Sequence, residues 1–125
     1  MTQTQLLIYQ KTEGRVPLAS WLSRQSRQVQ NKTVAIITLL KERGHGLRRP
    51  HADYLANGIW ELRVIVGRVH HRILYCYVGK RVVLLTHAIT KTNKVLAKEI
   101  QKAARFRGEF KKDPKAHACS LEALL

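Results

Sequence analysis

Residues 60–94, WELRVIVGRVHHRILYCYVGKRVVLLTHAITKTNK, decide the fold. Gly67-Arg68 and Gly79-Lys80 each separate β-branched or aromatic runs. Glycine at the first central position suits a two-residue hairpin turn, so the stretch reads as three antiparallel strands. The first turn then pairs Val66 with Val69, Leu62 with Ile73, Trp60 with Tyr75 and Arg63 with Arg72. The second pairs Val78 with Arg81, Tyr75 with Leu84, Ile73 with Thr86 and Arg72 with His87. Because side chains alternate with period two, one face collects Trp60, Leu62, Val64, Ile73, Tyr75, Tyr77, Val82 and Leu84 as the core side. The other collects Glu61, Arg63, His70, Arg72 and His87, with Leu74, Cys76, Val83 and Leu85 further along. A slip of one residue would exchange the faces of a whole strand.

Working outward, Gln5 to Gln10 reads as a first strand. Pro17 suits the first turn of a helix, and Pro17 to Arg43 reads as two antiparallel helices with a break near Arg24 to Arg27, a single long helix being the competing reading. Gly44 suits the left-handed residue after a helix. Gly44 to Asn57 reads as a loop, and Asn57-Gly58 opens the meander. Past the last strand, Thr92 or Asn93 is a candidate cap for a helix over Val95 to Phe106. Residues 1–110 form the domain, and the polar segment 111–125 is expected to fray or form a short helix. The expected fold class is α+β: a twisted antiparallel sheet, made of one N-terminal strand and a three-strand meander, packed on a helical hairpin with a C-terminal helix.

The chain has 125 residues, 23 lysines and arginines against 8 acidic residues, and a formal net charge of +15. That size fits one domain with one core. The charge predicts attraction to polyanions, nucleic acid foremost, with an acidic protein partner equally compatible. Two cysteines give neither a disulfide framework nor zinc spacing, and Cys76 reads as a small buried hydrophobe. With no cleavable leader pattern and no apolar run of bilayer length, the expectation is a cytoplasmic protein without a membrane partner.

The chemistry concentrates on the charged face. Two opposed arginines repel, so Arg63 and Arg72 imply an anion between them or neutralisation by Glu61. Their planar forks suit phosphate oxygens, although an ordinary solvated face carries the same pattern. His87, beside Arg72 in the inferred register, offers proton transfer near neutrality. Glu61 is placed to accept a proton or to orient Arg63. Lys91 and Lys94 lie near a helix start, which favours anions. Lys94, Lys98, Arg48 and Arg49 complete the set as RNA contacts. His70 and His71 point to opposite faces and cannot chelate one ion, and Trp60 and Tyr75 fall on the core side, which argues against base stacking.

In order and spacing, WELR (Trp60–Arg63), RILY (Arg72–Tyr75) and VLLTHAITKTNK (Val83–Lys94), followed by the basic helix, resemble the RelE/HigB superfamily of toxins, in particular its phage-type HigB branch. The resemblance covers Leu6 to about Phe110. It implies a RelE-like fold and a metal-independent, cofactor-free ribonuclease that cuts mRNA in the ribosomal A site, with a cognate antitoxin as partner. The substrate's own 2′-hydroxyl would attack the adjacent phosphate. Arg72 matches the family's phosphate-contacting strand arginine, Arg63 the end of WELR, and Lys91 the basic turn after the last strand. The C-terminal tyrosine used by some RelE proteins is missing here. A non-catalytic RNA- or ribosome-binding protein, and a module that binds an acidic partner, are the competing readings.

Overall fold

A computed structural model describes residues 4–90, 95 and 97–124. Its six strands are β1 (Gln5–Tyr9), β2 (Ala52–Ala56), β3 (Ile59–Val66), β4 (Val69–Val78), β5 (Val82–Thr90) and β6 (Ala118–Cys119). Its three helices are α1 (Pro17–Ser23), α2 (Arg27–Arg43) and α3 (Ala97–Lys112). The strands form one sheet in the order β2-β3-β4-β5-β1-β6. The chain is therefore α+β, but the sheet is mixed rather than antiparallel, because β1 lies parallel to β5.

The helical hairpin forms as read. Pro17 opens α1, and the Ser26 hydroxyl caps α2 by accepting from the Val29 N–H. Gly44 ends α2 with a positive φ of 52°. The segment expected to be a loop before Asn57 contains a strand instead. Asn57 (φ 54°) and Gly58 (φ 75°) make the turn that joins β2 to β3, so the meander has four strands. The positive φ favours glycine at 58, and a Cβ there would also lie 2.7 Å from Arg107 Nη1, displacing the end of that side chain.

The β3–β4 register is the expected one throughout, with Val66 opposite Val69, Arg63 opposite Arg72 and Trp60 opposite Tyr75. The β4–β5 register differs. Val78 pairs with Val82, leaving a three-residue connection in which the Arg81 carbonyl accepts the Gln5 N–H at the start of β1. Tyr75 therefore faces Leu85, not Leu84. A bulge then inserts Thr86, whose hydroxyl lies 3.1 Å from the Leu74 carbonyl oxygen, and His87 faces Leu74 instead of Arg72. Arg72 faces Ile89. Val83 and Leu85 thus change sides relative to expectation, while the bulge returns His87 to the Arg72 side.

Both faces of the sheet are covered. Leu62, Val64, Ile73, Tyr75, Val83 and Leu85 pack with Leu18, Trp21, Ile37 and Leu40 of the hairpin. On the opposite face Ile59, Leu74, Cys76 and Leu84 pack with Ala103, Phe106 and Phe110 of α3, and Tyr9 stacks on Phe106 at 4.1 Å. The C-terminal segment also joins this structure. After α3, β6 pairs with β1, and Leu121 and Leu124 of a short 3-10 turn pack beside the hairpin core. No described helix is long and apolar enough to cross a membrane.

A candidate phosphate site on the open sheet face

The α3 helix covers only part of its sheet face. It lies over Ile59, Cys76 and Leu84, with Arg107 Nη1 donating to the Asn57 carbonyl at 3.0 Å. Toward the Gly67 turn the same face emerges from under the helix, and Ile65 is 37 % exposed. Glu61, Arg63, His70 and Arg72 belong to this face by strand alternation, His70 pairing with Ile65 one step beyond the arginine pair.

The opposed arginines are held together by the carboxylate between them. Glu61 is 1 % exposed, yet each of its oxygens is bonded. Arg72 Nη1 donates to Oε1 at 2.6 Å, and Arg63 Nε donates to Oε2 at 2.8 Å. Arg63 Nη2 also donates to Asp53 Oδ2 at 3.1 Å, and Arg49 reaches the same oxygen at 2.9 Å. The hydrogen bond from Arg49, with its charge, the Tyr54 N–H and Arg63, holds the Asp53 carboxyl below its ordinary value. The chain of alternating charge solves the repulsion recognised in the sequence, and a carboxylate this deep requires such partners. The arginine side chains remain 13 % (Arg72) and 30 % (Arg63) exposed. Arg72 Nε has no hydrogen-bond partner among the described residues. Because that Nε is itself buried, what the row offers to phosphate oxygens is the partly exposed part of the Arg63 and Arg72 guanidinium groups at the border of the open face.

Arg48 and Arg49 stand next to this row. Arg48 places its guanidinium over Trp60, 5.4 Å from the ring centroid, and both arginines line a shallow concavity of about 330 Å³ with Asp53, Tyr54 and Trp60. Trp60 is half-buried and Tyr75 fully buried. Lys98 is exposed in the first turn of α3. Lys91 and Lys94, and the capping candidates Thr92 and Asn93, lie outside the described residues.

His87 is not with the arginines. It is 3 % exposed, packed edge-on against Phe106, with Nε2 3.0 Å from Glu99 Oε1 and Nδ1 3.2 Å from the Thr86 hydroxyl. Burial lowers its pKa, outweighing the bond to Glu99, and Lys102 adds to the lowering. In the neutral imidazole Nε2–H donates to Glu99, while the single Thr86 proton goes to the Leu74 carbonyl and Nδ1 lies beside the hydroxyl oxygen. His71 is likewise buried, bonded through Nδ1 to the Thr90 hydroxyl at 2.9 Å, and its pKa is also lowered by burial.

Those two histidines set a pH dependence. Their folded pKa values lie below the ordinary value of about 6.5, so below it the unfolded chain binds protons that the folded chain refuses. The stability they contribute is fully present above that value and is lost as pH falls through the window beneath it. Thermal unfolding should therefore give a lower Tm at pH 5.5 than at pH 7.5, with the difference reduced in His87→Gln. A Tm that rises toward pH 5.5 would mean that His87 is held as a cation against Glu99.

The parts played by Asp53 and Glu99 were missed in the sequence. Asp53 fell in the supposed loop, although Asn57-Gly58 flanked by Asp-Tyr-Leu and Ile-Trp-Glu is the signal of a hairpin. Glu99 lies 12 residues beyond His87, on a different element, and no local pattern links the two.

No curated protein matches the chain closely enough to add a second comparison. Residues 20–107 match the family described as phage-derived protein Gp49-like (DUF891), and the chain belongs to this family of RelE/HigB-like toxins.

Proposed function

We propose that the protein is the toxin of a toxin–antitoxin pair and acts as a ribosome-dependent mRNA endonuclease with a RelE-like arrangement. The observation that carries this reading is the Arg63–Glu61–Arg72 row on the part of the sheet left open by α3. A net charge of +15 supports attraction to an RNA-rich surface. Membership of a toxin family supports an antitoxin as partner.

In this reading Arg63 and Arg72 receive the scissile phosphodiester, with Arg48, Arg49, Lys94 and Lys98 holding the flanking RNA and Lys91 adding charge near the phosphate. The 2′-oxygen forms a bond to phosphorus, the P–O5′ bond breaks with its electron pair, and the fragments carry a 2′,3′-cyclic phosphate and a 5′-hydroxyl. Arginine charge is worth most on the pentacoordinate phosphate, where negative charge accumulates. Of the two histidines on the arginine face, His70 is partly exposed where His87 is buried, and it takes the 2′-hydroxyl proton. Water protonates the departing 5′-oxygen. His87 serves the fold.

Purified protein on programmed ribosomes, with cleavage read by mapping mRNA 5′ ends, tests the reading. His70→Ala should lower the saturated rate on the order of 10²-fold. His87→Ala, at a temperature where it remains folded, should stay within about threefold of wild type. The absence of cleavage by wild type, with ribosome binding retained, would instead identify a non-catalytic ribosome-binding protein.

A further inference from the structure

We infer that Glu61 is a positioning residue that holds Arg63 and Arg72 as one fork matched to a single phosphodiester and limits their combined charge. The inference rests on the arginine row being the phosphate site.

The geometry separates this role from that of a base. Both Glu61 oxygens are engaged by guanidinium N–H groups, and the side chain is 1 % exposed, so it presents nothing to a substrate proton. What it controls is direction. It holds Arg72 through Nη1 and leaves the buried Nε without a described partner. It holds Arg63 through Nε, while Asp53 fixes the far end of the same fork through Nη2. With Arg49 offsetting Asp53, the remaining trio of Glu61, Arg63 and Arg72 carries one positive charge, equal and opposite to one phosphodiester. Without the carboxylate, two cations directly opposed across β3 and β4 would carry two charges and repel.

A distinctive kinetic signature follows. In Glu61→Gln the amide offers one acceptor in place of two and turns an N–H donor toward a guanidinium, releasing one arginine. The extra positive charge strengthens ground-state attraction to RNA, whereas the loosened fork fits the transition state less well. Binding and rate move in opposite directions.

The test measures cleavage on programmed ribosomes under single-turnover conditions for wild type, Glu61→Gln, Glu61→Asp and Glu61→Gln combined with Arg72→Ala. The saturated rate of Glu61→Gln should fall on the order of 10²-fold, with KM unchanged or lower and a pH profile of wild-type shape. Glu61→Asp, which keeps the charge, should lie between. In the Arg72→Ala background, Glu61→Gln should cost less than about threefold more, because the two act as a unit. A raised KM at unchanged saturated rate, or loss of the acidic limb of the pH profile, would overturn the role.

NMR of the arginine Nε–Hε groups in the free protein reads the same fork without cleavage. Wild type should show slow guanidinium rotation at Arg63 and Arg72, and Glu61→Gln should lose it at one or both. Fast rotation at both in wild type would overturn the inference. Slow rotation together with a wild type that does not cleave would overturn the endonuclease reading on which it rests.

Discussion

Arg72→Ala should reduce mRNA cleavage on programmed ribosomes on the order of 10²–10³-fold, the loss typical of removing one preorganised donor to a developing oxyanion. The position supports this expectation by its bonding, its residual exposure and its place on the sheet. It is bonded through Nη1 to a buried carboxylate, its side chain keeps 13 % of its surface exposed, and it borders the open part of the sheet face. Arg72→Lys should recover only part of the loss, because a lysine supplies a point charge without the planar fork. Glu61 retains Arg63 in either variant, so both should remain folded, which circular dichroism and thermal melting check. Cleavage within about threefold of wild type for folded Arg72→Ala would remove the arginine row from the chemistry.

Phe106→Ala should cost about 3–5 kcal/mol of stability, the usual range for deleting a buried aromatic ring. Phe106 is 1 % exposed, stacks on Tyr9 and meets the edge of His87, so it fastens α3 to β1 and β5 together. At this chain length the loss corresponds to a fall in Tm of roughly 10–20 °C. A stable Phe106→Ala with α3 still protected from hydrogen exchange would show that Phe110 and Ala103 suffice to hold the helix. Because His87 and Glu99 join where α3 meets the sheet, Phe106→Ala should also expose the imidazole. The pH dependence of the melting temperature should then weaken.

Much of this fold was legible in residues 60–94, and the reasons for the errors are local. The Gly67-Arg68 turn has two residues, so counting from it fixes every β3–β4 pair, including Arg63 with Arg72. The Gly79 turn looks the same in sequence, yet Arg81 stays out of the strand and gives its carbonyl to Gln5 of β1. That bond belongs to a parallel neighbour that no pattern near Gly79 announces. The Thr86 bulge then restores His87 to the expected face but not to its expected partner. Apolar residues on both sides of β4 and β5 (Ile73 with Leu74, Val83 with Leu84) did carry a message that was read only in part. A strand buried on both faces lacks clean alternation, and here the second cover is α3.

The site divides along similar lines. That Glu61 neutralises Arg63 and Arg72 was readable from WELR and the hairpin register, because the three are neighbours across one turn. That Glu61 is buried and Asp53 completes the network depended on β2, hidden in a segment rich in glycine, proline and histidine punctuation. That His87 is enclosed depended on where α3 lands, a contact with Glu99 set by tertiary packing. The partial exposure of His70 follows from the same placement, since the helix that covers His87 stops short of the Gly67 end of the sheet.

The most direct measurement is the chemistry of the ends left on mRNA cut by wild-type protein on programmed ribosomes in the presence of EDTA. Attack by the substrate's own 2′-hydroxyl predicts a 2′,3′-cyclic phosphate on the upstream fragment and a 5′-hydroxyl on the downstream one. It also predicts no cleavage when the nucleotide before the cut carries 2′-deoxyribose. A 5′-phosphate on the downstream fragment, or cleavage that persists through the deoxy substitution, would contradict an arginine cradle acting on a 2′-hydroxyl attack.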